Sequence, residues 1–297
     1  MTLTDEIAAS AEEPAAEGRA RRRSRALLAH PGAVFAIIVI GVQVIAAIFA
    51  PLIAPHDPDH AYVSYVLTGP SRHFWFGTDE LGRDILARVM FGARISLEIA
   101  GICVGIAATV GSLLGLLAGS YRGAADSIIM RAMDVLLAFP DILLAVAVIA
   151  ILGPGLNNTM IAIGVALIPV YARTVRAAAL QVADSEYVRA ATVIGVPRRR
   201  IVLTHVLRNV WTPIIVISTV NVGTTILIAA GLSYVGLGAQ PPTAEWGSML
   251  SDAHQYLPAD WWTAVFPGIA ISFSVLAFNL LGDALRDVLD PRLRHRG

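Results

Sequence analysis

The chain alternates long apolar runs with short polar segments, and six of the runs approach the length of a membrane-spanning helix. Such a helix needs about 20 predominantly apolar residues. Six runs of this kind are not typical of a soluble protein, in which amphipathic helices carry charged faces. The pattern therefore predicts an all-α polytopic membrane protein with six transmembrane helices. The predicted spans are Val34–Ala54, Ile95–Gly119, Val135–Leu152, Thr159–Val175, Ile214–Val235 and Val265–Leu285.

Composition supports this class, and the arginines predict the orientation. Hydrophobic residues make up 56% of the chain and charged residues only 15%. All 22 basic residues are arginines, and 18 of them lie before Val34, in 120–134, in 173–208 or from Arg286 onward. Because arginine-rich loops stay in the cytoplasm, these four segments and both termini are predicted to be cytoplasmic.

The same pattern divides the chain into four parts. We expect a cytoplasmic disordered tail with a basic amphipathic helix at 1–29, and the first transmembrane helix with an extracytoplasmic segment at 30–94. A five-helix core should occupy 95–290, with a cytoplasmic loop at 180–210, and a short cytoplasmic tail 291–297 should follow.

Several chemistries are disfavoured by missing residues. A P-loop needs a lysine, and the chain has none, so ATP would have to be bound by another chain. Ionisable residues in the predicted spans, Glu98, Asp141 and Asp283, lie near span ends, whereas proton-coupled carriers place such groups near the midplane. Ser233 follows a Gly-Leu pair, but no predicted span holds a histidine that could act as its base. We therefore predict no catalytic residue and no enzyme activity.

The predicted extracytoplasmic segments contain two polar stretches. The run HDPDH (His56–His60) admits either a metal site or an extended exit from the first span, and we favour the extended exit with no metal bound. The run GTDELGRD (Gly77–Asp84) is too polar for an interfacial belt, so it predicts a structured outer element. Its candidate docking residues are Asp79, Glu80, Arg83 and Asp84. Trp261 and Trp262 favour an aromatic belt at the membrane surface.

The cytoplasmic stretch Ser185–Val210 is basic and amphipathic. Asp184 or Ser185 can begin a helix, and Gly195 with Pro197 ends it. A second helix then leads into the next span. Four residues with i, i+3, i+4, i+7 spacing share one face of the first helix: Tyr187, Ala190, Ala191 and Ile194. The small alanines suit close approach of a partner groove, although a basic loop lying on the membrane stays an alternative.

At these residues the chain resembles the permease subunits of ABC importers, whose cytoplasmic loop carries Ala-Ala-x-x-x-Gly, here Ala190, Ala191 and Gly195. It departs from the family pattern at Arg189, where glutamate is usual, and at Arg208, where proline is usual. Further segments resemble the C-type permease of dipeptide, oligopeptide and nickel importers, over about 25–292. They are Phe76–Leu97, Asp134–Ala145, Leu232–Leu250 and Trp261–Arg292.

The resemblance implies a type I importer permease in the cell membrane, with no cofactor of its own and no nucleic-acid partner. ATP and Mg²⁺ would be bound by one or two ATPase subunits. A homologous B-type permease, an extracytoplasmic substrate-binding protein and membrane lipid would be the other partners. The ATPase-coupling helix would involve Glu186, Tyr187, Ala190, Ala191, Ile194, Gly195, Pro197 and Arg198.

The substrate path is the least determined feature. Asn221, Thr224 and Thr225 in the fifth span are candidate path residues, although Asn and Thr also join membrane helices by hydrogen bonds. The resemblance favours an ATP-driven dipeptide or oligopeptide importer. A nickel or small-solute importer stays open, and so does a stand-alone carrier or channel.

Overall fold

A computed structural model describes residues 26–289, and within that range every regular element is helical. Residues 1–25 and 290–297, which include most of the predicted disordered tail and basic amphipathic helix and the predicted C-terminal tail, lie outside the described residues. A short 3₁₀ turn, Val63–Tyr65, lies in the segment after the first helix. The helices are α1 (Pro31–Ile53), α2 (Ile85–Tyr121), α3 (Ala124–Leu137), α4 (Asp141–Leu152), α5 (Leu156–Ala183), α6 (Glu186–Val193), α7 (Arg198–Ile201), α8 (Leu207–Tyr234), α9 (Trp246–Ala253) and α10 (Trp262–Leu289).

Five helical rods in the described range are long and apolar enough to cross a membrane, and a bent pair brings the number to six. The all-α prediction is therefore confirmed, with five or six candidate spans in the described range where six were predicted. The third span, predicted at Val135–Leu152, is divided between two helices, because α3 and α4 meet at an angle of 93°. Pro140 lies between them. It disfavours helical geometry at the preceding residue and has no N–H to donate, so the chain turns there.

The helix that contains the fifth predicted span begins well before Ile214, because the second cytoplasmic helix predicted after Gly195 is continuous with it. Helix α7, a π-helical segment (Val202–Val206) and α8 join end to end as one 37-residue rod, Arg198–Tyr234. At 1.5 Å per residue such a rod is about 55 Å long. It therefore reaches from the end of the bundle that holds α6 to the opposite end.

The most extensive helix–helix contact in the bundle is between α2 and α5. Gly111, Gly115 and Gly119 of α2 recur every four residues and form one face, as in the small-residue interfaces of membrane helices. A Cβ on Gly111 would lie 2.6 Å from the Tyr171 Cβ and 2.7 Å from the Ile168 carbonyl oxygen. The two backbones are therefore in direct contact, without intervening side chains.

The segments between helices gather at two opposite ends. At one end, the indole of Trp262 donates to the Thr78 carbonyl (3.2 Å), and the Gly155 amide donates to the Leu237 carbonyl (3.1 Å). At the other, Arg122 and Asp184 join the end of α2 to the end of α5. The arginine distribution predicts the first end to be extracytoplasmic and the second cytoplasmic.

Candidate coupling helix and outer network

Helix α6 is the predicted docking helix, and it begins and ends close to the residues that the sequence predicted. Ser185 is the N-cap residue, but its hydroxyl donates to the Val182 carbonyl (2.6 Å) and caps no amide of α6. At the other end, the Gly195 amide donates to the Thr192 carbonyl (3.1 Å) and the Val196 amide to the Ala191 carbonyl (3.0 Å). This pair of bonds is a Schellman motif. Gly195 has φ +84°, a conformation that strains any residue with a Cβ.

The two alanines of α6 do not share one exposed face as the sequence predicted. Val188 is buried, and Ala191 lies half-buried beside it against the third apolar cluster of the bundle. Ala190 is exposed, and Val193 and Ile194 are 87% and 79% exposed. The helical period explains the difference. Residues i and i+3 lie on the same side of a helix, so Ala191 faces the bundle together with the buried Val188. The outward face, here called the docking face, consists of Tyr187, Ala190, Val193 and Ile194.

Polar contacts hold the neighbourhood of α6 to the bundle. The guanidinium of Arg198 donates to the Ser120 carbonyl and lies 5.3 Å from the ring centroid of Tyr121. Arg122 and Asp184 form an exposed ion pair (2.7 Å). Exposed pairs of this kind contribute little individually. Arg198 therefore contacts the bundle although it is exposed at the surface, as are Glu186 and Pro197.

One of the three candidate path residues lies inside the bundle. Thr225 is completely buried within this chain, and its hydroxyl has no hydrogen-bond partner among the described residues. It therefore does not line a path between this chain and a second subunit. Asn221 and Thr224 are half-buried. One turn before Asn221, Ser218 contacts the Tyr171 hydroxyl (3.2 Å), which places a small polar group between α5 and α8.

The predicted outer element is structured, but most of its charges point inward. Asp79, Arg83 and Asp84 are 7%, 4% and 0% exposed. The Asp79 carboxylate accepts bonds from the Arg83 Nε (2.6 Å) and from the amides of Leu81 and Arg83 (2.9 and 2.8 Å). Buried charges need such internal partners. Direct docking by these three side chains does not fit their burial, and only Glu80 is half-buried at the surface.

Asp84 and Arg88 connect the start of α2 to the segment after α1, and Arg88 also contacts the segment before α9. Asp84 caps α2 by accepting from the Leu86 amide (3.0 Å), and it lies 2.7 Å from the Nδ1 of His56. Arg88 is 1% exposed and donates to the carbonyls of Pro58 (3.2 Å) and Pro242 (3.4 Å). His56 in HDPDH is therefore part of a structural contact. Within residues 26–289, no group of three His, Cys, Asp or Glu side chains has the geometry to hold a metal ion.

Trp262 departs from the predicted belt, whereas Trp261 is compatible with it. Trp262 packs against Gly77 and Gly69 and donates to Thr78, so it anchors the outer element to the start of α10. Trp261 is 51% exposed.

Glu245 is a buried carboxyl group in the same end of the bundle. It caps α9 by accepting from the Ser248 amide (2.9 Å) and contacts the Ser96 hydroxyl at 3.4 Å. Burial raises the pKa of Glu245 above its ordinary value of 4.5, and these hydrogen bonds offset only part of that rise. The neighbouring Trp246 is 1% exposed and donates to the Val89 carbonyl (3.0 Å). The sequence places both residues in an outer segment whose acidic and aromatic residues suggested a docking surface, and their burial does not fit that role.

We expect Glu245→Gln to reduce the pH dependence of stability. A carboxyl group with a raised folded-state pKa binds its proton more tightly in the folded state. Its stabilising contribution is therefore present below pH 4.5 and is lost as the pH rises through the raised value. The melting temperature of the purified protein should fall with rising pH in the wild type and fall less in Glu245→Gln. Burial also raises the pKa of Glu80 and Asp252, so some slope remains in both. Parallel curves would contradict the prediction.

Comparison with known proteins gives matches along most of the chain. The family model described as "Binding-protein-dependent transport system inner membrane component" matches residues 111–295. The model described as "N-terminal TM domain of oligopeptide transport permease C" matches residues 20–70. Helix α6 and its neighbours α5 and α7 all lie within the residues that the first family model matches.

Three relatives align over nearly their full length. The dipeptide transport system permease protein DppC of Alkalihalophilus pseudofirmus is 45% identical, covering 88% of this chain and 86% of the relative. The di/tripeptide transport system permease protein DppC of Pseudomonas aeruginosa is 46% identical, covering 89% of each. The glutathione transport system permease protein GsiD of Escherichia coli is 48% identical, covering 92% of this chain and 89% of the relative.

Proposed function

The chain belongs to the family of binding-protein-dependent transport system inner membrane components, and from this premise we propose that it is the permease subunit of an ATP-driven importer of short peptides. Membership makes it a multi-pass membrane component of a transporter. The substrate class is supported by the relatives, whose names state dipeptides, tripeptides and glutathione, a tripeptide. These names favour peptides over nickel.

The observation that carries the coupling part of the proposal is the docking face of α6. It presents a small residue, Ala190, between apolar side chains that are largely exposed in this chain. Exposed apolar surface of this kind marks interaction sites. In the proposed complex, one or two ATPase subunits bind ATP and Mg²⁺ and receive α6 in a groove.

The geometry also provides a route for transmitting a movement. Helix α6 ends in a Schellman motif and is joined by Val196 and Pro197 to the 37-residue rod Arg198–Tyr234. When ATP closes the ATPase subunits, α6 would be displaced and the rod would tilt with it. The π-helical segment Val202–Val206 lies at the base of the rod, a kind of segment that often occurs at functional sites. The motion would alternate access between the two membrane faces.

The path itself would lie between this chain and a homologous B-type permease. Asn221 and Thr224 are retained as candidate path residues because both remain half-buried in the single chain. A path with few charged groups would admit peptides of varied sequence, and an extracytoplasmic binding protein would select among them. Glu80 remains a candidate contact for such a partner at the outer surface.

Stimulation of ATPase activity by peptides tests the proposal. The complex that co-purifies with this chain should hydrolyse ATP faster when its binding protein is loaded with dipeptides or tripeptides, and nickel ions should have no such effect. Liposomes that contain this chain alone should not accumulate labelled peptide. Uptake by those liposomes, or stimulation by nickel and not by peptides, would contradict the proposal.

A further inference from the structure

A cleft of about 350 Å³ opens beneath α6, at the end of the bundle that the arginines predict to be cytoplasmic. It lies where the ends of α2 and α5 meet the start of α7. Its floor is apolar and its rim is polar. The floor includes Val188, Val196, Ile201 and Val206.

The rim carries more positive than negative charge. Arg122 and Arg198 both line the cleft, and Asp184 is the carboxylate that lines it with them. The Arg122–Asp184 pair uses one terminal nitrogen of Arg122, and Arg198 donates one bond to the Ser120 carbonyl. A guanidinium has five N–H donors, so both arginines retain donors for a further acceptor.

Ser120 supplies an independent indication of a ligand. It is 7% exposed and lines the cleft, and its hydroxyl has no hydrogen-bond partner among residues 26–289. A buried hydroxyl without a partner is unfavourable, and most such groups in proteins are satisfied. A ligand oxygen at the inner end of the cleft would satisfy it.

We propose that this cleft binds the phosphate group of an anionic ligand, with the apolar part of the ligand on the valine and isoleucine floor. Arginine matches phosphate because its planar fork can donate two parallel bonds, and the Ser120 hydroxyl would donate a third. The phosphate could belong to an anionic phospholipid of the inner leaflet, since basic pockets on that side bind lipid headgroups, or to a soluble phosphate ester.

Occupation of the cleft would hold α6 in place. Val188 is the one fully buried side chain of α6, so the helix has a small apolar contact with the bundle. A ligand that touches the rim and the floor would connect α6 to α2, α5 and α7 at once. Occupation of the cleft would set the resting position of α6 whichever substrate is transported.

Hydrogen exchange of the amides in 186–196 tests the proposal. The full chain, with the subunits that co-purify with it, is placed in phosphatidylcholine nanodiscs. One arm adds phosphatidylglycerol to the bilayer, and another adds hexyl phosphate to the buffer. Slower exchange is expected in at least one arm relative to phosphatidylcholine alone, and the arm that responds identifies the source of the phosphate.

Matched variants separate the cleft from general surface charge. Arg122→Gln and Arg198→Gln should each weaken the apparent affinity for the responding ligand about fivefold. Arg200→Gln removes an equal charge from a neighbouring exposed position outside the cleft and should have little effect. Ser120→Ala, which leaves the charges unchanged, should give a smaller loss. Exchange that is unaltered in both arms, or an equal loss in Arg200→Gln, would overturn the proposal, whatever the outcome of the peptide experiments.

Discussion

Replacing Gly115 by alanine should destabilise the bundle by about 3 kcal/mol, the upper range for overpacking a well-packed site. The new methyl group would overlap the carbonyl oxygen of Ala172 and would lie 3.0 Å from the carbonyl carbon of Ala172 and the amide nitrogen of Arg176. These are backbone atoms of α5, so no side-chain rotation relieves the overlap and the two helices must separate. The yield of monodisperse protein in detergent and its melting temperature measure the effect.

Gly105→Ala is the matched control on the same helix. A Cβ at Gly105 meets no atom within 4 Å, and the residue is exposed. Alanine favours helix over glycine by up to about 1 kcal/mol, so this variant should be neutral or slightly more stable. If the two variants lowered the melting temperature equally, the close contact between α2 and α5 would not be the cause.

The spacing of the glycines in α2 carries information about helix packing that hydropathy does not. Apolar run length predicted the membrane class and the approximate spans because the bilayer requires about 20 apolar residues from any helix. The contact of α2 with α5 was not predicted, although Gly111, Gly115 and Gly119 carry the Gly-x-x-x-Gly spacing of close helix pairs. That spacing identifies an interface but not its partner helix, which only the packing in three dimensions determines.

Local signals predicted α6 well and its environment poorly. Gly195 and Pro197 indicated the end of the helix because both effects are local. Glycine readily adopts the left-handed backbone conformation that ends a helix, and proline has no N–H with which to continue one. The division of Ala190 and Ala191 between two faces depended on how α6 lies on distant residues such as Val206 and Val210. The same applies to Asp79 and Asp84, whose polarity suggested exposure. Their partners Arg83, Arg88 and His56 instead form a buried network that only the folded chain brings together.

Ala190→Trp should abolish peptide uptake while leaving the bundle folded. Ala190 is exposed on the docking face, and its side chain does not belong to the apolar cluster beneath α6. An indole there would occupy the space that a groove of the ATPase subunit needs, whereas the isolated chain has room for it. We expect uptake and co-purification of the ATPase subunits to fall at least about tenfold, a loss of about 1.4 kcal/mol or more in docking free energy, with an unchanged melting temperature.

Ala191→Trp distinguishes the two faces of α6, since it makes the same substitution one residue further along. Ala191 packs against the cluster that contains Val188 and Ile201, so an indole there must push α6 off the bundle. This variant should therefore lower the melting temperature as well as uptake, in contrast to Ala190→Trp. Normal co-purification and uptake in Ala190→Trp would refute the assigned docking face. Destabilisation by both variants to the same degree would mean that α6 buries Ala190 as well, and the coupling surface would then have to lie elsewhere on the cytoplasmic end.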